Sequence, residues 1–316
     1  MTRHAFRHRQ RGGVALMFAL LIVALAGSVA AAVSYDMVLD MRRTQSLLWQ
    51  EQARLFAYGA EDWVGDVLVR DAQDTEDDHL GELWAQELPP LPVEGVGIQG
   101  VVAGRIVDLQ SRFNLNNLLA TDGRADELEL ERFRRLLQLV QIDPQRADAV
   151  IDWMDADTEV RFPGGAEDET YTTRAPPVLT ANRPFRSVGE LALIDGFDAE
   201  AMARLRPHIT ALPARTTLNA NTATSLVLQA MDENVSAGDI ERVLEERQEF
   251  GIEDLQVTFG GLLTPESIAT LDLATNFFEL RSVVRIGTSR FTMYSLVFRS
   301  EQGDIAVVMR SFGSEL

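Results

Sequence analysis

The sequence predicts an α+β protein: one long N-terminal helix plus an antiparallel sheet, with a large all-helical domain inserted in the sheet. Three observations predict it. An uncharged run from Val14 to Val33 leads into a stretch that has no proline before Asp71. Residues rich in β-formers occupy 96–109, and again 277–286, 291–299 and 305–310. Between these two groups, from 118 to 273, apolar residues recur at helical spacing.

Each element has a local reason. As a helix, Val14 to Val33 would be roughly 30 Å long, enough to cross a bilayer. Arg3, Arg7, Arg9 and Arg11 precede it and place its start on the cytoplasmic side. Phe56, Ala60, Trp63, Val64 and Val67 then give one apolar stripe, with Arg54, Glu61, Asp62 and Asp66 largely off it. Residues 71–78 read as an acidic loop, and the prolines at 89, 90 and 92 as a stiff connector. Residues 96–109, interrupted by Gly97, Gly100 and Gly104, read as a hairpin or two short strands. Helices are expected at 126–141, 145–154, 188–194, 199–209, 222–231, 237–249 and 265–273. The segment 112–118 is echoed at 217–223, each with an Asn-x-Asn that suits a turn or helix cap.

Composition narrows the function. The 316 residues carry a formal charge of −19, and every basic side chain is arginine. Such a surface repels phosphate backbones, which are bound through neutralising cations. There is no cysteine, so neither disulfides nor thiolate metal sites are available. No Gly-x-Ser-x-Gly, P-loop or His-Glu-x-x-His occurs, and His4, His8, His79 and His208 sit in no catalytic pattern. The chain is expected not to be an enzyme.

The N-terminus carries the most specific signal. A secretory signal puts its small-residue cleavage site after the apolar run; here Gly12 and Gly13 stand before it. Cleavage between Gly13 and Val14 would remove only the basic leader and keep the apolar helix as an assembly element. That is the logic of prepilin processing. Phe18 would then be the fifth mature residue, where most pilin-like proteins carry glutamate. A carboxylate in lipid is costly unless a neighbour compensates it, so its absence suits a subunit at a fibre tip.

An acidic loop is the second candidate site. Asp155, Asp157, Glu159, Glu167, Asp168 and Glu169 surround Pro163, Gly164 and Gly165. Six carboxylates so close are either solvated or bridged by a hard cation such as calcium, which accepts oxygen ligands in loose geometry. The loop is not an EF-hand, because Val160 stands where its glycine would be and Ala166 where its last glutamate would be. A third motif, Phe185 to Leu191 followed by Gly196, resembles half of a helix-hairpin-helix unit. It leaves as the alternative a membrane-anchored protein for DNA binding or uptake. Asp195 and Asp198 flank that glycine and favour a small packing module instead.

These pieces together resemble the general secretion pathway protein K family, the large minor pseudopilin of type II secretion systems. The matching stretches are RQRGGVAL at 9–16, LPPLPVE at 88–94, DLQSRFNLNNL at 108–118, DWMDAD at 152–157, GAED at 165–168 and SVGEL at 187–191. The resemblance implies a pilin-like α/β head with an inserted helical domain, helix-hairpin-helix or SAM-like in character. It divides the chain into a leader (1–13), a transmembrane assembly helix (14–34), a stalk helix with the first strands (35–117), the insertion (118–273) and the closing strands (274–316). It implies calcium in the head, with Asp155, Asp157, Glu167 and Asp168 as ligands and Glu159 as a weaker one. It implies a single-pass inner-membrane protein with a periplasmic head, incorporated in the pseudopilus. Its partners would be minor pseudopilins I and J, then H and the major pseudopilin, the prepilin peptidase and the inner-membrane assembly platform, and no nucleic acid.

Overall fold

The computed structural model describes residues 12–87, 89–95, 98–248 and 251–314. The arginines and histidines of the basic leader, and the start of the proline connector at Leu88, lie outside the described residues. So do residues 96 and 97 and the end of the helix expected over 237–249.

Helix α1 runs unbroken over Gly12–Asp74, because no proline interrupts it. Its apolar first part is the one described helix long and apolar enough to cross a membrane. It extends further than expected, into the segment read as an acidic loop. Asp78, beyond its end, is not solvated but buried.

Strand β2 (Ile98–Asp108) runs unbroken through the segment read as a hairpin or two short strands, with Gly100 and Gly104 inside it. Its antiparallel partner β1 (Leu91–Gly95) forms from the segment read as a proline connector, so the pairing lies earlier in the chain than expected. The closing strands are β7 (Phe277–Ile286), β8 (Ser289–Arg299) and β9 (Ile305–Phe312). They join the hairpin in one antiparallel sheet of order β1-β2-β7-β8-β9. The sheet is therefore interrupted between β2 and β7 by all the remaining elements.

The face of α1 that packs on the sheet is rotated from the expected stripe and shares part of it. Ala53, Ala57, Glu61, Val64 and Leu68 are buried, Phe56 and Val67 pack at the edge, and Trp63 is 44% exposed. Small alanines allow close approach to Val284, Ile286 and Met293. The buried Glu61 is compensated. Arg310 of β9 donates to it from Nη2 at 2.7 Å and Nε at 2.9 Å, and Ser295 Oγ at 2.5 Å.

The insertion is not all helical. It comprises β3 (Phe113–Asn114), α2 (Glu127–Leu139), α3 (Arg146–Met154), α4 (Asp168–Thr172), α5 (Ala199–Leu205) and β4 (Ile209–Thr210). These are followed by β5 (Leu218–Asn219), α6 (Ser225–Ala230), α7 (Ala237–Glu246), α8 (Leu255–Phe259), α9 (Pro265–Ile268) and β6 (Leu271–Asp272). The segment 188–194 is a 3-10 turn rather than an α-helix. Helix α5 stops short of Pro207, so Ile209 pairs as strand.

The Asn-x-Asn echo is structural. β3 pairs in parallel with β4, and β5 with β6, so each asparagine motif opens a segment closed by a short parallel return. In the first, Asn114 Oδ1 accepts from Asn116 N at 3.2 Å, and Asn116 Oδ1 accepts from Phe185 N at 2.8 Å. In the second, Asn219 accepts from Asn221 N at 2.9 Å, and Asn221 from Ile252 N at 2.6 Å. One asparagine of each pair shapes the turn; the other pins distant backbone. Both segments share one apolar core that includes Phe133, Leu136, Tyr171, Phe197, Leu228 and Phe259.

Candidate functional site

The acidic loop lies between α3 and α4. Asp155 is the C-cap residue of α3, and Glu167 the N-cap residue of α4. Local sequence explains the fold back. Gly164 approaches the carbonyl of Gln145, and Gly165 approaches the carboxylate of Asp152, so closely that a β-carbon at either position would overlap them. Asp152, fully buried on the last turn of α3, accepts from Arg161 N at 3.1 Å and thereby ties the loop to the helix.

This fold brings Asp155, Asp157 and Glu167 together, each with a carboxylate oxygen within 4.8 Å of the others. Glu167 is only 4% exposed. Buried Glu167 Oε1 and Asp155 Oδ1 have no hydrogen-bond partner. Burial, with Asp152 and Asp155 as neighbours, pushes Glu167 up to about 7. Burial and the charges of Asp157 and Asp152 push Asp155 up to about 6. Asp152, also raised by burial to about 6, adds negative charge beside them. Converging, unpartnered carboxylate oxygens on an irregular loop have the chemistry of a hard-cation site.

The other two candidates sit differently. Asp168 turns to Thr180, whose N donates at 2.8 Å and Oγ1 at 2.7 Å, and these bonds hold its carboxyl below the usual range. Glu159 is exposed, its own N–H donating to Asp157 at 2.8 Å. Asp152 was missed by sequence reasoning, although it lies one helical turn before Asp155.

At the N-terminus, Gly13 and Val14 lie in the first turn of α1, and Phe18 is 62% exposed on it. The whole segment from Val14 to Val33 presents exposed apolar side chains.

Two other sequence motifs resolve as structural. Gly196, at φ +88°, turns the chain between the 3-10 segment and α5, and its neighbour Asp195 binds Arg146 at 2.6 Å and Arg174 at 2.7 Å. Those arginines are thus paired within the fold. His208 Nδ1 contacts Thr224 Oγ1 at 2.9 Å. A second acidic group, Asp71, Asp78 and Glu82, is closed by Arg299, which donates to Asp71 at 2.9 Å and to both oxygens of Asp78 at 2.5 Å. Beside it, buried Asp108 at the end of β2 accepts from Thr275 Oγ1 at 2.7 Å, Asn219 Nδ2 at 3.0 Å and Thr222 Oγ1. This network welds the sheet, the end of α1 and the second half of the insertion.

Comparison with known proteins gives one answer. Family models described as "Type II secretion system (T2SS), protein K" match residues 111–214 and 218–266. Their boundaries follow the two asparagine-headed segments. Type II secretion system protein K of Aeromonas hydrophila is 34% identical over 96% of this chain and 98% of its own length. The protein K of Pseudomonas aeruginosa is 33% identical over 96% of this chain and 94% of its own. Among solved structures, a chain of the GspK-GspI-GspJ complex from the enterotoxigenic Escherichia coli type 2 secretion system superposes with a TM-score of 0.74. It is 25% identical, over 86% of this chain and 100% of that one.

Proposed function

The chain belongs to the type II secretion system protein K family, whose role is that of a minor pseudopilin, and from that premise we propose that it stands at the tip of the pseudopilus. There it helps to initiate pseudopilus assembly and the export of folded proteins from the periplasm across the outer membrane. The observation that carries this reading is the combination of similarity to protein K over nearly the full length with an insertion that interrupts the sheet between β2 and β7. A bulky insertion leaves no room for another subunit above it. The role is structural and involves no catalysis. The half hairpin around Gly196 acts as a packing module of helix-hairpin-helix or SAM-like kind.

The chain is made as a precursor and cut between Gly13 and Val14. Phe18 then replaces the glutamate that would need a neighbour above, and α1 anchors the subunit once in the inner membrane with its head in the periplasm. The crystal neighbour's complex supports minor pseudopilins I and J as partners. Pseudopilin H, the major pseudopilin, the prepilin peptidase and the assembly platform complete the set. The test is the N-terminal residue of the membrane-extracted chain together with secretion in a deletion strain. Val14 is expected as first residue, and secretion should return only with the intact gene. An intact arginine-rich start, or cleavage beyond Val33, would overturn the reading.

The head holds a structural calcium ion on Asp155, Asp157 and Glu167, with Asp152 orienting the loop. The unpartnered oxygens of Asp155 and Glu167 support this. Asp168 acts through Thr180, shaping the segment behind Glu167, and Glu159 lies outside the group. An ion here clips a long loop in a protein without disulfides.

A further inference from the structure

Phe162 is the most exposed large apolar side chain among the described residues, at 90%. It lies on the loop between Asp155 and Glu167, two residues after Val160, which is also exposed. An exposed aromatic on a slack loop would fold back onto the protein, since burying it gains roughly 1.5–3 kcal/mol. Here the backbone on both sides is fixed. Before it, Arg161 N binds Asp152 at 3.1 Å, and the Arg161 guanidinium reaches Glu127 and, at 3.6 Å, Asp148. After it, Gly164 N donates to Asp148 at 3.3 Å, and Gly165 N to Arg161 O at 2.7 Å. Gly164 itself is wedged against Gln145. Phe162 is therefore presented in a pre-organised position, the form in which an aromatic anchor acts as a binding hot spot.

We propose that Phe162 is a docking finger that inserts into an apolar pocket, bordered by arginine or lysine side chains, on a folded protein outside the fibre. Charge fixes the border: Glu159 on the same loop and Glu169 in the first turn of the adjoining α4 are exposed, and the chain carries −19 overall. The same acids repel anionic lipid headgroups. The finger belongs to the insertion, away from the sheet on which α1 packs, and the choice of a partner outside the fibre follows from the tip reading. Size sets the lifetime. One phenylalanine buries about 150–250 Å², far less than the roughly 1,200 Å² of a stable interface, so the contact forms and releases.

The inference rests on the tip reading only for its choice of a partner outside the fibre. It does not depend on calcium, because Asp148 and Asp152 hold the finger. The test places the photo-crosslinking residue p-benzoylphenylalanine at 162 in the full-length chain, in cells, and maps adducts by mass spectrometry. Adducts are expected on an apolar site flanked by Arg or Lys in a protein that is not a pseudopilin, and Glu159→Arg should lower their yield. With the purified mapped protein, Phe162→Ser should weaken binding about ten- to hundredfold, the range for losing a buried aromatic, while Phe162→Trp retains it. Phe162→Ser should melt with the parent chain. Adducts only within this chain, on other pseudopilins or on lipid would overturn the proposal. So would unchanged binding by Phe162→Ser, or a lowered melting temperature, which would make the residue structural.

Discussion

The proposed cation site predicts a reversal of sign in one variant, Glu167→Gln. Glu167 and Asp155 place carboxylate oxygens within 4.8 Å of one another, both unpartnered. At that separation and an effective dielectric constant of about 20, two charges repel by about 3 kcal/mol. Without a cation the wild-type loop carries this repulsion, and replacing Glu167 by glutamine removes it. With calcium at a hundredfold excess over its dissociation constant, the wild type gains about 2.7 kcal/mol. For a region of this size that is about 5–10 °C in melting temperature. The assay is thermal unfolding of the detergent-solubilised full chain at pH 7.5, in calcium and in excess EDTA. The wild type should lose about 5–10 °C in EDTA. Glu167→Gln should melt at or above the wild type in EDTA and gain little from calcium. A wild-type curve indifferent to EDTA, or a glutamine variant that keeps the full calcium increment, would refute the reasoning.

Two further outcomes follow from the charged groups that hold the head together. Arg310→Ala leaves Glu61 buried beneath β9 with only Ser295 as partner, and should destabilise the head by about 3 kcal/mol in chemical denaturation; a loss under 0.5 kcal/mol would contradict the assignment. Burial and the charge of Glu82 raise Asp71 to about 7, against an ordinary value of 3.8. The folded state therefore binds the proton more tightly, so stability should rise as pH falls from 8 toward 5, and Asp71→Asn should flatten that rise.

Much of this architecture was legible in local composition. The first helix is uninterrupted by proline, and β7, β8 and β9 are runs of β-forming residues between turn residues, whereas β1 falls in the segment read as a proline connector. Where large residues misled, packing distance was the cause. Of the conspicuous stripe Phe56, Ala60, Trp63, Val64 and Val67, only Val64 is buried; α1 approaches the sheet also through Ala53 and Ala57, and Glu61 joins that face because Arg310 lies opposite. Nothing in the sequence couples residues 249 positions apart. The short strands β3 to β6 have two residues each, too few to show a period. Their asparagine motifs were visible, but not the parallel returns that they open. At the acidic loop, composition located the group, while its membership depended on partners. Thr180 takes Asp168 away from the cluster, and Asp152 enters through the loop backbone that it grips.

The central claim, that this subunit caps the pseudopilus, is tested most directly by counting copies. The chain has no cysteine, so Val257→Cys, at an exposed position, gives a single labelling site. Gold or dye attached there should mark one end of each isolated pseudopilus, one label per fibre. Labels distributed along the shaft would contradict the account.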